Sequence, residues 1–174
     1  MDDDDIIGAL RRNDPAGAKE LVKAYGQRLL RSAFLLCESE TDAQDLVQDT
    51  LIQAVRSIQY FAGNSKLYTW LHGILLNMSR SYRRKVSRMP FTYRFPTSQT
   101  LVPPDSAPLD MDKDSSELAQ AVQHLSPAYR DIVILRFFEG LKLEDISQRL
   151  NIPLSTVKTR LTRALRGLRR NIKE

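Results

Sequence analysis

Residues 143–171 have the sequence LEDISQRLNIPLSTVKTRLTRALRGLRRN, and this stretch determines the fold expected for the end of the chain. Its apolar residues recur at intervals of three and four, which is typical of amphipathic helices. Asn151 and Pro153 interrupt the pattern and predict a short turn between two helices. The second helix is strongly basic. Two helices joined by a short turn, the second of them basic, predict a helix-turn-helix.

The second helix, predicted from Ser155 to about Asn171, has one apolar and one polar face. Its core positions are Val157, Leu161, Ala164 and Leu168. The candidate DNA-reading residues are Ser155, Thr156, Lys158, Thr159, Thr162, Arg163 and Arg166. Hydroxyl groups and long cations suit base edges and phosphates in a major groove. The alternative is an ordinary helical hairpin whose basic face is merely solvated.

The residues before this motif predict a second domain that is separated from the first by a linker. Ser126–Pro127 predicts a helix start, and Gly140 predicts the end of that helix. Five of the eight prolines lie between Pro90 and Pro108, which is typical of a flexible linker. We therefore expect an all-α chain with two small helical domains, at residues 1–88 and 115–174, joined by a Pro-rich linker at 89–114.

Four helices are predicted in the first domain. They run from about Asp4 to Arg12, onward from Pro15, from Ser39–Gln44 to about Ile58, and from about Ser65 to Lys85. Thr41 and Gln44 fit a capping box at the start of the third helix. Two core stripes are predicted, one on the third helix (Val47, Leu51, Ala54, Ile58) and one on the fourth (Leu67, Leu71, Ile74, Met78, Tyr82).

Three carboxylates, Asp42, Asp45 and Asp49, share one face of the third predicted helix because their spacing is three and four. This face could be solvated, could bind Mg²⁺ as in a metal-dependent nuclease, or could dock on a basic partner. No second carboxylate cluster, histidine or lysine completes a metal site, so the sequence favours the docking face.

Aromatic and basic residues are interleaved between Tyr60 and Lys85. Five of the 13 aromatic residues lie there (Tyr60, Phe61, Tyr68, Trp70, Tyr82), together with Lys66, Arg80, Arg83, Arg84 and Lys85. Aromatic side chains beside cations can hold the unstacked bases of a single strand while neutralising its backbone. The alternative is that the aromatic residues, Trp70 among them, belong to the core. Asn77, on the predicted outer face, favours the binding interpretation.

The charge distribution supports a nucleic-acid partner. Of the net charge of +5, residues 1–88 carry +2, residues 89–114 carry −2 and residues 115–174 carry +5. Between Ser32 and Val55 every charged residue is acidic, and from Thr50 to Pro104 every charged residue is basic. An acidic surface therefore adjoins a basic one, and the second basic block lies at the end of the chain. Two basic patches on one chain point to nucleic acid.

The composition excludes several classes of protein. The longest apolar runs, such as Ile132–Leu135, are far shorter than the roughly 18 residues that cross a bilayer. Asp2–Asp5 gives the N-terminus the opposite charge to a signal peptide, so we expect a cytoplasmic protein without membrane insertion. Cys37, the single cysteine, and two histidines, His72 and His124, form neither a zinc cage nor a nucleophile and base pair. We therefore predict no catalytic residue, no metal and no cofactor.

From about Asp14 to Arg170 the chain resembles the sigma-70 family of RNA polymerase sigma factors, in the extracytoplasmic-function group. Three motifs carry the resemblance in family order: residues 42–50 (DAQDLVQDT), residues 61–77, and the helix-turn-helix at 143–166. The chain departs from many relatives at Ser81, where they have Asp, and at Thr162, where some have an aromatic residue.

The resemblance implies a non-enzymatic factor for promoter-specific transcription initiation. It implies docking on the β′ clamp helices of core RNA polymerase through Asp42, Asp45, Leu46, Gln48 and Asp49. It implies melting and capture of the −10 element by Phe61, Asn64, Ser65, Tyr68, Trp70, Asn77, Arg80, Arg83 and Arg84. It also implies reading of the −35 duplex by the helix-turn-helix, contact with the β flap, and control by an anti-sigma factor. The rival hypothesis is a repressor or activator that binds duplex operator as a dimer without polymerase.

Overall fold

The computed structural model describes residues 2–37, 39–88 and 113–171, and within these residues the chain is helical without strands. Eight α-helices follow one another: α1 (Asp3–Arg11), α2 (Pro15–Leu36), α3 (Glu40–Ser57), α4 (Leu67–Arg88), α5 (Lys113–Gln123), α6 (Pro127–Val133), α7 (Leu143–Leu150) and α8 (Leu154–Asn171). The described residues form two compact units, one from 2–33 and 39–88, the other from 34–37 and 113–171. The all-α, two-domain fold class is thereby confirmed.

The predicted boundaries are partly outside the described residues. The predicted linker at 89–114 lies outside the described residues, except for its last two residues, which already belong to α5. Residues 34–37 cluster with the second unit, which the predicted domain at 1–88 does not anticipate. None of the helices in the described ranges combines the length and the apolar character that crossing a membrane requires.

Helices α3 and α4 form the centre of the first unit and pack against each other. Small and branched residues of α3 are buried, among them Ala43, Val47 and Ala54. Thr50 is also buried, and its hydroxyl donates to the Leu46 carbonyl oxygen at 2.7 Å. Because that hydrogen bond satisfies the hydroxyl within its own helix, Thr50 can lie in an apolar interface.

Two local predictions for these helices are wrong. Helix α3 begins one residue after Ser39, whose hydroxyl accepts from the Asp42 amide at 3.1 Å. Ser39 therefore caps the helix instead of Thr41. On α4, the second half of the predicted core stripe is wrong: Leu67 and Leu71 are buried as predicted, but Ile74 and Met78 are half-buried and Tyr82 is exposed. Leu75, Leu76 and Ser79 are buried instead.

Helix α1 packs closely on the start of α2. Its own start is closed by a capping box, in which Asp2 and Asp5 each accept from the other's backbone amide. A Cβ atom at Gly17 would lie 2.9 Å from the Ala9 Cβ and from the Leu10 amide nitrogen. Only glycine therefore permits this approach between the two helices.

In the second unit, Ser126 is the N-cap residue of α6 and Pro127 occupies its first turn, as the sequence predicts. After α6 the chain continues as a π-helical turn at Ile134–Phe138, and Gly140 follows with a φ of 68°. Arg130 is buried and donates to the backbone carbonyl oxygens of Gln123 and Leu125 at the end of α5. The last carbonyl groups of a helix have no partner within it, so the arginine completes the end of α5 at Gln123 and ties it to the turn that follows.

The turn between α7 and α8 is closed by local hydrogen bonds. Asn151 adopts a left-handed conformation with a φ of 52° and ends α7. The Ile152 amide donates to the Ser147 carbonyl oxygen at 3.1 Å, and the Ser147 hydroxyl donates to the Ile152 carbonyl oxygen at 2.6 Å. Asparagine is one of the few residues other than glycine that tolerate this conformation. The two helices and the turn between them match the predicted helix-turn-helix.

Candidate functional site

Helix α8 presents an exposed row of hydroxyl and cationic side chains. The exposed residues are Ser155, Lys158, Thr159, Thr162, Arg163 and Arg166. Val157, Ala164 and Leu168 are buried on the opposite face, which fixes the orientation of this row. The hydroxyls of Thr159 and Thr162 donate to carbonyl oxygens four residues earlier, each at 3.0 Å, so their free lone pairs can accept hydrogen bonds.

One side of this row lines a cavity of about 480 Å³ beside the start of α6. Four of the predicted reading residues contribute to it: Ser155, Thr156, Thr159 and Arg163. Tyr129 and Arg160 also line the cavity, and sequence reasoning did not select them. Thr156 and Arg160 are four residues apart and so share one face of the helix, and this spacing could have indicated Arg160. Hydroxyls combined with two guanidinium groups suit a phosphate oxyanion.

The acidic face of α3 consists of Asp42, Asp45 and Asp49. Asp49 is exposed, and Asp42 and Asp45 are half-buried. Partial burial raises the pKa of Asp45, and the negative charges of Asp42 and Asp49 raise it further. The three carboxylates therefore act on one another electrostatically, and a cationic partner would relieve that repulsion.

The two remaining candidates on α3 differ in accessibility. Gln48 is half-buried beside the carboxylates, whereas Leu46 packs into the core of the unit. Leu46 therefore supports the acidic face from beneath and does not lie on it. Within the described parts of the chain, no three side chains of His, Cys, Asp or Glu are grouped so that they could hold a metal ion.

The loop between α3 and α4 is exposed, but the aromatic residue at its start is not. Residues 62–66 are exposed, including Asn64 and Ser65, and Gly63 has a φ of 74°. The Phe61 side chain is 6% exposed and its ring lies 5.1 Å from the half-buried Trp70 ring. The loop thus emerges from an aromatic pair that anchors its base.

Tyr68 is also buried, at 6% exposure. The Arg28 guanidinium lies 3.5 Å above its ring, and the Tyr25 ring centroid is 5.9 Å away. Tyr25 in turn donates a hydrogen bond to Asp3, and burial together with that bond raises the pKa of Tyr25 to about 12. Tyr68 and Phe61 are therefore core residues beneath the loop, as the alternative interpretation of the aromatic segment expected, and not exposed platforms.

Helix α4 carries the polar and cationic candidates. Asn77 and Arg84 are exposed, and Arg80 and Arg83 are half-buried. His72 is buried on the inner side of the same helix, with its ring 6.1 Å from the Tyr68 ring. His124 is exposed, and its Nδ1 lies 2.7 Å from the Gln120 carbonyl oxygen. Cys37 is buried, as its apolar neighbours predict.

The base of the loop is also held by α1, which sequence reasoning did not connect to it. The Arg11 guanidinium donates to the Phe61 carbonyl oxygen at 2.7 Å, and the Gln59 side-chain amide donates to the Arg11 carbonyl oxygen at 3.0 Å. Between these two anchors, Tyr60 is 86% exposed. The contacts join residues about 50 positions apart, so no local pattern in the sequence indicates them.

Comparison with known proteins relates both units to one family. A family model described as "Sigma-70 region 2" matches residues 21–89, and one described as "Sigma-70, region 4" matches residues 115–168. The RNA polymerase sigma factor SigV of Bacillus subtilis is 33% identical over 85% of this chain and 86% of its own length. The ECF RNA polymerase sigma-E factor of Haemophilus influenzae is 29% identical, over 94% of this chain and 92% of its own.

A solved structure shows the same fold. It contains the sigma factor RpoE from Bartonella quintana in complex with the anti-sigma factor NepR. The TM-score is 0.67 at 29% sequence identity, and the match covers 89% of this chain and 96% of that one.

Proposed function

Because the chain belongs to the extracytoplasmic-function group of the sigma-70 family, whose members are non-catalytic factors for promoter-specific transcription initiation, we propose that it docks on core polymerase, reads a −35 duplex and captures a melted −10 strand. The acidic face of α3 is the observation that supports docking on core polymerase. A helix-turn-helix alone would serve a repressor equally well.

Docking on core polymerase is assigned to Asp42, Asp45, Gln48 and Asp49. Burial and, after it, the charges of Asp42 and Asp49 raise the pKa of Asp45. A basic surface would relieve the repulsion among the three carboxylates, which supports this assignment. The partner that the family resemblance implies is the pair of clamp helices of the β′ subunit. Leu46 contributes by holding α3 in place from the core side.

Reading of the −35 duplex is assigned to the exposed row on α8 and to the half-buried Thr156. Ser155, Lys158, Thr159, Thr162, Arg163 and Arg166 point away from the core of the unit. The cavity beside the row supports a division of work: the hydroxyls and arginines that line it suit a backbone phosphate, and the remaining residues suit base edges. The β flap of core polymerase is a further partner that the resemblance implies for this unit.

Capture of the −10 strand is assigned to the loop and to the outer face of α4. Asn64, Ser65 and Asn77 are exposed polar groups that can bond to the edges of unstacked bases. The cations Arg80, Arg83 and Arg84 follow along α4 and suit the strand's backbone. Phe61, Tyr68 and Trp70 support the loop from beneath. Trapping an unstacked base shifts the melting equilibrium without nucleotide hydrolysis by this chain.

Two weak DNA-binding units joined by one chain gain affinity when a third body fixes their separation, because the second contact then becomes effectively intramolecular. Core polymerase would be that body. We therefore expect weak promoter binding by the protein alone and specific binding by the holoenzyme.

An anti-sigma factor is the other partner we infer. RpoE from Bartonella quintana was solved in complex with the anti-sigma factor NepR, and its fold matches this chain over most of its length. We expect such a partner to compete with core polymerase. Competition is measured by adding the candidate anti-sigma factor to labelled protein at a fixed concentration of core enzyme.

The proposal is tested by run-off transcription on a genomic promoter library with bacterial core polymerase freed of other sigma factors. Start sites that require the protein and share sequence near −10 and −35 are the expected result. Duplex binding without polymerase, and no transcript, would replace the proposal with the repressor hypothesis.

A charge reversal separates those two hypotheses. The double variant Asp45→Lys and Asp49→Lys should lose polymerase binding by about a hundredfold or more, since each like-charge contact across an interface costs several kcal/mol. Binding of a repressor to duplex operator would survive the same change. DNA cleavage that requires both Mg²⁺ and Asp45 would instead establish the nuclease alternative.

A further inference from the structure

Helix α1 lies outside the residues that the two family models match, which begin at residue 21. It nevertheless contacts the 3₁₀ turn at Ile58–Tyr60 that leads into the exposed loop. Two side-chain hydrogen bonds cross this contact in opposite directions. Arg11 donates to the Phe61 carbonyl oxygen, and Gln59 donates to the Arg11 carbonyl oxygen.

We propose that α1 positions the −10 capture loop and that Arg11 is the positioning residue. This inference rests on the proposed function of the loop. Arg11 is exposed and acts through the backbone of Phe61, whose side chain is buried against Trp70. The guanidinium thus fixes Phe61, the residue that follows the turn, from the solvent side while the aromatic pair fixes it from the core side.

The physical effect is the prior ordering of a segment that would otherwise have to be ordered by DNA. Fixing the backbone of a residue costs conformational free energy. A loop whose base is already fixed binds its strand without that loss, which raises affinity without adding a contact to the DNA. A charge-assisted hydrogen bond at 2.7 Å is strong enough to hold such a base.

Tyr60 shows the local effect of the two hydrogen bonds that join α1 to the turn. Its neighbours on both sides are tied to α1, through the Gln59 side chain and the Phe61 carbonyl group. Tyr60 itself is 86% exposed, although an aromatic side chain would ordinarily favour burial. The two anchors therefore hold the backbone on both sides of Tyr60, and the ring remains in solvent.

Trp70 provides a direct test of positioning that requires no DNA. It is the chain's only tryptophan, and its ring packs against Phe61. The variant Arg11→Gln should increase acrylamide quenching of Trp70 fluorescence in the free full-length protein, because Phe61 becomes mobile. Arg12→Gln is the matched control, since Arg12 directly follows α1, is also exposed, and has its guanidinium over Gly8. Quenching that is equal in both variants overturns the proposal.

The functional test uses holoenzyme made with each full-length variant. We expect Arg11→Gln to weaken binding of a single-stranded −10 oligonucleotide by about tenfold, near the low end of what a hydrogen bond to a charged group contributes. Affinity for core polymerase and for a −35 duplex should stay unchanged. Arg11→Lys should restore part of the loss because a lysine retains a charged donor.

A scan with abasic sites identifies the loop's own contribution. In wild-type holoenzyme, removing the base that the loop captures should weaken binding, and in Arg11→Gln the same removal should have a smaller effect. If wild-type holoenzyme responds to the abasic site and Arg11→Gln responds equally, the positioning role is refuted. If wild-type holoenzyme binds no −10 single strand, the proposed function fails instead, while the Trp70 measurement still decides whether α1 holds the loop.

Discussion

The exposed row on α8 and the loop before α4 are assembled in different ways. Six exposed residues of the α8 row lie on one helix between positions 155 and 166, and two of their hydroxyls bond to carbonyl groups of that same helix. The loop takes its position from Arg11, 50 residues away, and from the aromatic pair of the buried Phe61 and the half-buried Trp70. A surface on one helix is stable to changes elsewhere, whereas an assembled surface depends on every element that holds it.

The largest difference between the two surfaces is expected from Gly17→Ala. The new Cβ atom would lie 2.9 Å from Leu10 backbone and from the Ala9 side chain, so α1 has to move away from α2. We expect a loss of about 2 kcal/mol in the stability of the first unit, as for other overpacked contacts. Trp70 fluorescence during urea unfolding measures it, because the only tryptophan lies in this unit.

Gly73→Ala is the control for that experiment, since a Cβ atom at Gly73 meets nothing within 4 Å. It lies within a helix, so the alanine should stabilise the first unit by about 0.5–1 kcal/mol. A Gly17→Ala protein as stable as wild type would show that α1 is loosely attached. The loop would then not depend on α1.

A change in the α8 row should act on DNA alone. Arg163→Ala should weaken binding of holoenzyme to the −35 duplex by about tenfold, within the range for loss of an arginine contact to DNA. Trp70 quenching and core polymerase binding should be unchanged. Arg169→Ala is the matched control, because Arg169 is exposed on the same helix outside the row. Equal losses in both variants would mean that α8 contributes only general positive charge.

A smaller effect on stability is expected from the arginine that lies over Tyr68, beneath the loop. Arg28→Ala removes the cation that lies 3.5 Å above the Tyr68 ring and should destabilise the first unit by about 0.5–1 kcal/mol, which is typical of an exposed cation–π contact. Arg31→Ala, an exposed arginine on the same helix, serves as control. Urea unfolding followed by Trp70 fluorescence distinguishes the two. A stable Arg28→Ala protein would mean that Tyr68 is held by packing alone.

The smallest effect concerns the acidic face. The pKa of Asp45 is raised in the folded protein, so this residue favours folding below its unfolded pKa and loses that contribution as the pH rises through the folded value. Asp45→Asn should therefore stabilise the protein at pH 7 by up to about 0.5 kcal/mol, the size of a like-charge pair on a helix. The gain should disappear near pH 3, where Asp45, whose pKa is raised, is protonated in the wild-type protein.

Glu144→Gln, in the second unit, should change stability in the opposite direction to Asp45→Asn. Glu144 lies in the first turn of α7, where a negative charge is stabilised by the helix dipole, so its neutralisation should destabilise that unit. Thermal unfolding at both pH values measures both variants. Destabilisation by Asp45→Asn at pH 7 would contradict the cost of ionising Asp45 that its partial burial and its two neighbouring aspartates imply.

Local periodicity allowed much of the architecture to be predicted. The helices, the helix-turn-helix and the faces of α8 follow from spacings of three and four residues, and these spacings persist in the fold. The second half of the predicted core stripe of α4 was wrong because leucine and isoleucine occur on several sides of that helix, and only contact with α3 selects the buried side. Ser39 caps α3 because a cap is chosen by where the chain enters the helix, not by composition alone.

The helical class, the basic row on α8 and the acidic face on α3 could be predicted from the sequence, because each depends on residues within one or two turns of a helix. The tertiary structure alone decided that Phe61 and Tyr68 lie beneath the loop, that Arg160 joins the cavity beside α8, and that Arg11 holds the Phe61 backbone. Burial and contacts across 50 residues depend on how helices pack, and packing is not encoded in the spacing of any single helix.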